Sequence, residues 1–310
     1  MSRHTTTAPA LAHAPEPPSG ASSLVGSSSA MRAVRKQLRT LAPYPWPVRI
    51  EGPRGTGKNH AARLLHDTSA RSGGFVRCGL HLVSAAEGRE LAELFGWARG
   101  AFTGAVQAEP GVFERAHRGT AFLNELGIAS PRVQEILLHL LEERTVQRIG
   151  EHVPRPVDVR VVFATNVQLE AAVAAGTFRA DLYDRLGLHV VQMPTLSARM
   201  EDLPELVAAI LIRKAAEARI EAPELPPADL DRLMCYDWPG NVRELENALE
   251  HFLVFRRLPS PIPRARRGMH AWHAAVLKSL EQTGGNKSAA ARALGISRKT
   301  LHAHLKQRRA

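Results

Sequence analysis

The sequence predicts an α/β fold with a parallel sheet, a purely helical segment after it, and a small all-α helix-turn-helix unit at the C-terminal end. Three observations carry that prediction. Short apolar runs alternate with amphipathic helical stretches up to about residue 193, the pattern of strand–helix crossovers. A glycine-rich turn, GPRGTGKN, stands between one such run and the helix that follows. The last stretch, 269–310, holds eight Lys or Arg and one acidic residue and reads as helix, glycine turn, helix.

Residues 1–22, rich in Thr, Ala, Pro and Ser, have the composition of a disordered tail. They leave no room before Leu24 for a folded sensory domain. Residues 30–41 have helical spacing and a basic face, and Pro43, Pro45 and Pro47 then break the chain before a strand at 48–51. In the turn that follows, Gly52, Gly55, Thr56 and Gly57 allow the backbone to curl around phosphate oxygens. Lys58 reaches the β/γ pair, and a helix runs on to about Ala70. Asn59 stands where Ser or Thr is usual. Glycine-rich turns are common, but this one has the spacing and both flanks of a nucleotide site.

Gly100, Ala101, Phe102, Thr103, Gly104 and Ala105 hold one aromatic residue between glycines and small residues. This reads as a mobile loop with Phe102 at its tip, or as a loop anchored by Phe102 in the core. Residues 120–125 are an apolar run ending in the polar pair Asn124-Glu125, as a buried parallel strand ends where its carboxyl edge carries chemistry. Residues 131–143 form an apolar helix opened by Pro131. The strand at 157–164 is followed by Thr165-Asn166. Asn166 either orients a water beside a γ-phosphate or caps the next helix. Residues 178–186 are helical and place Arg179 and Arg185 six apart, a spacing equally at home on a solvated face.

From Glu201 to about Phe255 only helical spacing appears, as expected of a lid. Within it Asn241 is placed to cap a helix that presents Arg243 in its first turn. The Pro- and Arg-rich stretch 256–268 reads as a basic linker. In the final unit Ala290, Leu294, Ile296, Leu301 and Leu305 can bury a small core. Ser297 caps a second helix carrying Arg298, Lys299 and His302, which can enter a major groove. The resulting boundaries are 1–22, 23–193, 194–255, 256–268 and 269–310.

The whole chain carries 41 Lys and Arg against 30 Asp and Glu, a net +11, which favours a polyanionic partner such as nucleic acid. Cys78 and Cys235 fit no metal spacing and suit a reducing cytoplasm. No apolar run approaches the length of a membrane span, and the N-terminus lacks the apolar core of a signal peptide.

Taken in order, GPRGTGKN, ELFG with GAFTGA, GTAFLNE, ATN, FRADLYDRL, WPGNVRELEN and GNKSAAARALGISRKTL resemble the blocks of the bacterial enhancer-binding proteins, AAA+ activators of sigma-54-dependent transcription. The resemblance runs from about Leu24 to the C-terminus, and GAFTGA is its most specific block. It implies an AAA+ P-loop NTPase with a helical lid and a Fis-like DNA-binding unit, using ATP and Mg²⁺. It further implies that Asn124 and Glu125 hold the metal and polarise the attacking water, that Asn166 is a sensor, and that Arg243 senses nucleotide from the lid. Arg179 and Arg185 take the arginine-finger positions, reaching a neighbouring subunit's γ-phosphate. The 100–105 loop grips sigma-54 in the polymerase holoenzyme, the C-terminal unit binds enhancer DNA, and the subunits form a ring, usually a hexamer. Control by a partner protein is expected in place of a phosphorylated receiver domain.

The departures from the family pattern cluster at the nucleotide. The strand-end pair is Asp-Glu in the family and Asn124-Glu125 here, so the Walker B motif is degenerate and offers Mg²⁺ a neutral ligand. Pro53 and Asn59 replace acidic residues of the phosphate loop. The stretch 75–79 lacks the family's γ-phosphate-sensing Asn, and Ser197 stands where Arg is usual. Together these imply weakened or partner-dependent hydrolysis, with a non-catalytic regulator or a mixed ring as the alternative.

Overall fold

The computed structural model describes residues 24–80, 89–259 and 278–294, with Arg298 and Leu301. Its centre is a five-stranded sheet. The strands are β1 (Val48–Glu51), β2 (Phe75–Gly79), β5 (Thr120–Asn124), β8 (Arg160–Thr165) and β9 (Val190–Gln192), in the order β2-β5-β8-β1-β9. All neighbours pair in parallel. Side chains alternate across a strand, so a sheet covered on both faces needs continuous apolar runs. In β5, Ala121 and Leu123 enter one core while Phe122 enters the other; Val161 and Phe163 of β8 oppose Val162 and Ala164 in the same way.

Helices α1 (Ser29–Leu41) and α2 (Lys58–Asp67) cover one face through Met31, Val34, Leu38, Ala61 and Leu65. The other face is covered by α3 (Arg89–Phe95), α4 (Val112–Arg115), α5 (Pro131–Glu143), α6 (Leu169–Ala174) and α7 (Ala180–Leu186). Ser28 caps α1 by accepting from the Met31 N–H. At the other end of α1 the buried Arg160 donates to the carbonyls of Leu41 and Ala42 at 2.8 and 2.9 Å, a cation against the negative end of the helix. Burial, with Arg71 nearby, pushes that guanidinium down to about 10.

Two short hairpins interrupt the α/β order. One pairs β3 (Gly96–Trp97) with β4 (Glu109–Pro110), and the other pairs β6 (Thr145–Val146) with β7 (Arg155–Pro156). β8 begins at Arg160 rather than at 157 because the Val157 N–H donates to the Arg144 carbonyl at 2.8 Å and the Asp158 carbonyl accepts from the Arg118 N–H at 2.6 Å, outside the sheet ladder. Likewise α2 stops at Asp67, short of Ala70. The Thr68 hydroxyl donates to the Leu64 carbonyl and the Ser69 hydroxyl to that of His66, closing the last turn.

After a 3₁₀ turn (Ser197–Asp202) come α8 (Leu203–Ala218), α9 (Pro227–Met234) and α10 (Asn241–Phe255). They share an apolar cluster that includes Leu206, Ile210, Leu233, Trp238, Leu249 and Phe252. Asn286 caps α11 (Lys287–Ala293), accepting from the N–H groups of Ser288 and Ala289 at 3.1 Å each. Ala290, Leu294 and Leu301 are buried in the same cluster as the lid residues rather than in a separate core, whereas Ile296, Ser297 and Leu305 lie outside the described residues.

Candidate nucleotide site and its flanking loop

The carboxyl ends of β1, β8 and β5 lie side by side, with Glu51 in register with Thr165 and Asn124 with Ala164. Chain segments leaving adjacent parallel strands open a crevice at that edge. One pocket there is lined by Arg54, Gly55, Gly57, Lys58, Asn59, His60, Asn124, Glu125, Asn166, Val242, Arg243 and Glu246. Eight residues singled out from sequence therefore meet in one place. Gly52 and Thr56 support it from behind: the Gly52 carbonyl accepts from Lys58 Nζ at 2.6 Å, and the buried Thr56 hydroxyl donates to the Pro53 carbonyl at 2.9 Å.

The loop's path depends on left-handed backbone. Gly55 has φ of 77°, and a Cβ there would lie 2.1 Å from the Gly240 carbonyl oxygen, so only glycine lets the loop meet the lid. Three successive loop carbonyls are then held by the lid side. Asn241 Nδ2 donates to Arg54 at 2.9 Å, the Val242 N–H to Gly55 at 2.9 Å, and Arg199 Nη2 to Thr56 at 3.0 Å. Asn241 does not cap α10 through its side chain, as its position suggested. Its Oδ1 accepts from the buried Leu196 N–H at 2.8 Å, and Glu244 reaches back to the Gly240 N–H instead. Asn241 has φ of 55°, in the left-handed region that asparagine tolerates better than most residues.

Lys58 is buried against this loop, where it also donates to the Pro53 carbonyl at 3.0 Å. Burial first, then the Arg243 guanidinium, push its ammonium down to about 8. Glu125 opposes the shift and Arg54 adds to it. Glu125 follows β5 with φ of 64° and faces Arg54 Nη2 at 3.8 Å. Asn166 is exposed and lines the pocket. It does not cap α6, whose N-cap is Gln168. An adjoining cavity of about 640 Å³ is largely apolar, with Leu24, Val25, Leu206 and Ile210 in its wall. Arg199, 2% exposed, also borders it; burial lowers the pKa of that guanidinium.

The residues present do not fit a divalent cation held by the protein. Such an ion prefers anionic oxygen ligands. Asn124 and Asn59 are amides, Glu125 faces an arginine, and Glu246 is paired with Arg213.

Arg179 and Arg185 lie outside the pocket of their own chain. Arg179 grips Asp181 through two bonds of 3.0 and 2.7 Å, and Arg185 faces Glu142 at 4.0 Å; both are about half exposed. The 100–105 loop extends from the β3–β4 hairpin. Gly100 (φ 83°) donates to the Ala105 carbonyl at 2.8 Å, and Ala105 to that of Phe102 at 3.0 Å, which narrows the loop base. Phe102 is 46% exposed and leans on Trp97, ring centroids 5.7 Å apart, so it is not an anchor in the core. Arg298 is exposed, and Lys299 and His302 lie outside the described residues.

The site also contains residues that sequence reasoning passed over. Arg54 lay inside a loop already recognised, but a single exposed cation there has no periodic signal. Arg199, Glu246 and Trp97 gain their roles only from tertiary neighbours.

A phosphate loop between β1 and α2, a polar pair at the end of β5 and a helical lid closing on the loop define an AAA+ P-loop NTPase. Residues 24–193 match the Sigma-54 interaction domain, 197–261 the AAA+ ATPase lid domain, and 274–307 the bacterial regulatory protein, Fis family. The transcriptional regulatory protein ZraR of Klebsiella oxytoca is 42% identical over 313 residues, covering 94% of this chain and 70% of that protein. The C4-dicarboxylate transport transcriptional regulatory protein DctD of Pseudomonas aeruginosa is 40% identical, with 92% and 64% covered. Among solved structures, NtrX from Brucella abortus in complex with ATP is similar at 32% identity and a TM-score of 0.69, with 92% of this chain and 68% of that one covered. The chain belongs to the sigma-54-dependent transcriptional activators.

Proposed function

We propose that this activator binds ATP in the pocket at the β1–β5–β8 edge, assembles into a ring, and turns nucleotide over slowly in its own site. The observation that carries this reading is the division of the machinery. Phosphate loop, Glu125, Asn166 and Arg243 share one pocket, while Arg179 and Arg185 stand half exposed outside it. Arginines so placed complete a neighbour's site when subunits associate, supplying charge to a transferring phosphoryl group. Phosphates would lie on the loop amides and Lys58, and the base in the apolar cavity beneath Leu24 and α8.

Phe102, held out on a narrow-based loop, is then the contact with sigma-54 in the polymerase holoenzyme. The C-terminal unit binds enhancer DNA through Arg298, Lys299 and His302, in the cytoplasm, with a protein partner setting activity. Open-complex formation by the sigma-54 holoenzyme, with full-length chain and ATP, tests the reading. Phe102→Ala should abolish promoter opening and leave ATP binding intact; undiminished opening would remove the finger from the mechanism.

Asn124 favours a second reading, a subunit of a mixed ring or a non-catalytic DNA-binding regulator. A strand-end amide brings no charge to a metal, yet Arg179 and Arg185 remain available to a competent neighbour. If Asn124→Asp changes neither ATPase nor transcription, this second reading prevails. In a mixed ring, a co-purifying activator should raise ATPase above the sum of the separate proteins.

A further inference from the structure

We propose that the pocket holds a nucleoside triphosphate as its metal-free anion, with Arg54 supplying the positive charge that a divalent cation would otherwise bring. The inference rests on reading this pocket as the nucleotide site, and adds which ionic form it takes. The polar side chains around the pocket are those of an anion site. Arg54, Lys58 and Arg243 are cations, and Asn59, Asn124 and Asn166 each carry an NH₂ group with two donors. An aspartate at the end of β5 could only accept, and would repel phosphate unless a metal stood between them. The amide of Asn124 can donate to a phosphate oxygen directly.

The only carboxylates in the lining are Glu125 and Glu246, and each faces an arginine, Arg54 at 3.8 Å and Arg213 respectively. As the side chains stand, each carboxylate is turned toward a guanidinium, so the charge of the lining is already balanced toward the anion. Arg54 itself sits within the phosphate loop, between Pro53 and Gly55, with its side chain 70% exposed at the pocket mouth and its carbonyl fixed by Asn241. Its backbone is therefore held while its guanidinium can swing from Glu125 to a phosphate, where a planar fork makes two parallel bonds. The chemical class follows: a nucleoside di- or triphosphate carrying its full negative charge.

The test is calorimetric titration of the full chain with ATP, in EDTA and in millimolar Mg²⁺. The two dissociation constants should agree within about twofold, and Arg54→Ser should weaken binding in EDTA by about tenfold, the scale of one lost charge-assisted phosphate contact. Arg54→Lys should recover part of that loss, and Asn124→Asp should introduce a dependence on Mg²⁺ that the natural chain lacks. Because Arg54 is exposed, thermal melting of the Arg54 variants should match that of the natural chain, separating a binding effect from misfolding. Binding of the natural chain that tightens about tenfold or more with Mg²⁺ would overturn the proposal and leave the nucleotide site standing. So would an Arg54→Ser variant that binds as well in EDTA. Absence of ATP binding in both buffers would overturn the nucleotide reading itself, and this inference with it.

Discussion

Lys58 shows how the site is tuned at the scale of single residues. Its pKa lies near 8, below the usual lysine value of 10.5, because burial and Arg243 oppose its charge. A polyphosphate restores the charged form, so binding takes up a proton above pH 8. ATP affinity should accordingly be flat below that pH as far as this group is concerned, and fall as pH rises beyond it. Titrations across pH 7 to about 9.5, with proton uptake read from buffers of different ionisation enthalpy, check the sign. Stability has the opposite sign: a lysine with a depressed native pKa binds fewer protons folded than unfolded between 8 and 10.5, so its penalty on folding is relieved as pH rises across that window. The sequence made Lys58 legible because its glycines and flanking strand and helix fix its place. Arg54 was not legible, since its meaning depends on Glu125, seventy-one positions away.

At the scale of elements, the phosphate loop and the lid are one mechanical unit. Three consecutive carbonyls, those of Arg54, Gly55 and Thr56, are held by Asn241, Val242 and Arg199. Asn241→Ala removes the partner of the buried Leu196 N–H and of the Arg54 carbonyl, and puts alanine at a left-handed φ. The expected loss is about 2–4 kcal/mol in denaturant unfolding, from an unsatisfied buried group plus backbone strain. Gly55→Ala should abolish ATP binding, because its Cβ would collide with the Gly240 carbonyl and drive lid and loop apart. Helix α5 was fully legible, Pro131 opening it and apolar residues marking its buried face. The role of Asn241 was misread because a capping position and a bridging position look alike until the loop across from it is known. The two hairpins were not anticipated, since strands of two residues carry too little periodicity to detect.

At the scale of the whole molecule, parallel sheet, lid and C-terminal unit were all foreshadowed by where helical spacing replaced alternating runs and where the positive charge collected. What the sequence could not show is the joining of lid and C-terminal unit in one apolar cluster through Ala290, Leu294 and Leu301. DNA binding by the full chain should weaken steeply with salt, with a log–log slope of about −0.9 per phosphate contacted, and Arg298→Ala should make that slope shallower by about one. A gel-shift indifferent to salt would remove the assignment. If subunits associate as proposed, Arg179→Ala or Arg185→Ala should leave ATP affinity nearly unchanged while lowering turnover, since neither side chain lines its own pocket. On the proposed reading the site grips nucleotide and keeps Glu125, but presents the amide Asn124 where a second carboxylate would speed hydrolysis. Steady-state phosphate release by the natural chain and by Asn124→Asp, at matched concentration and Mg²⁺, tests it most directly. The account predicts that the substituted protein is faster by about tenfold or more, one lost charge being equivalent to at least ~1.4 kcal/mol of barrier; equal rates in the two proteins would contradict it.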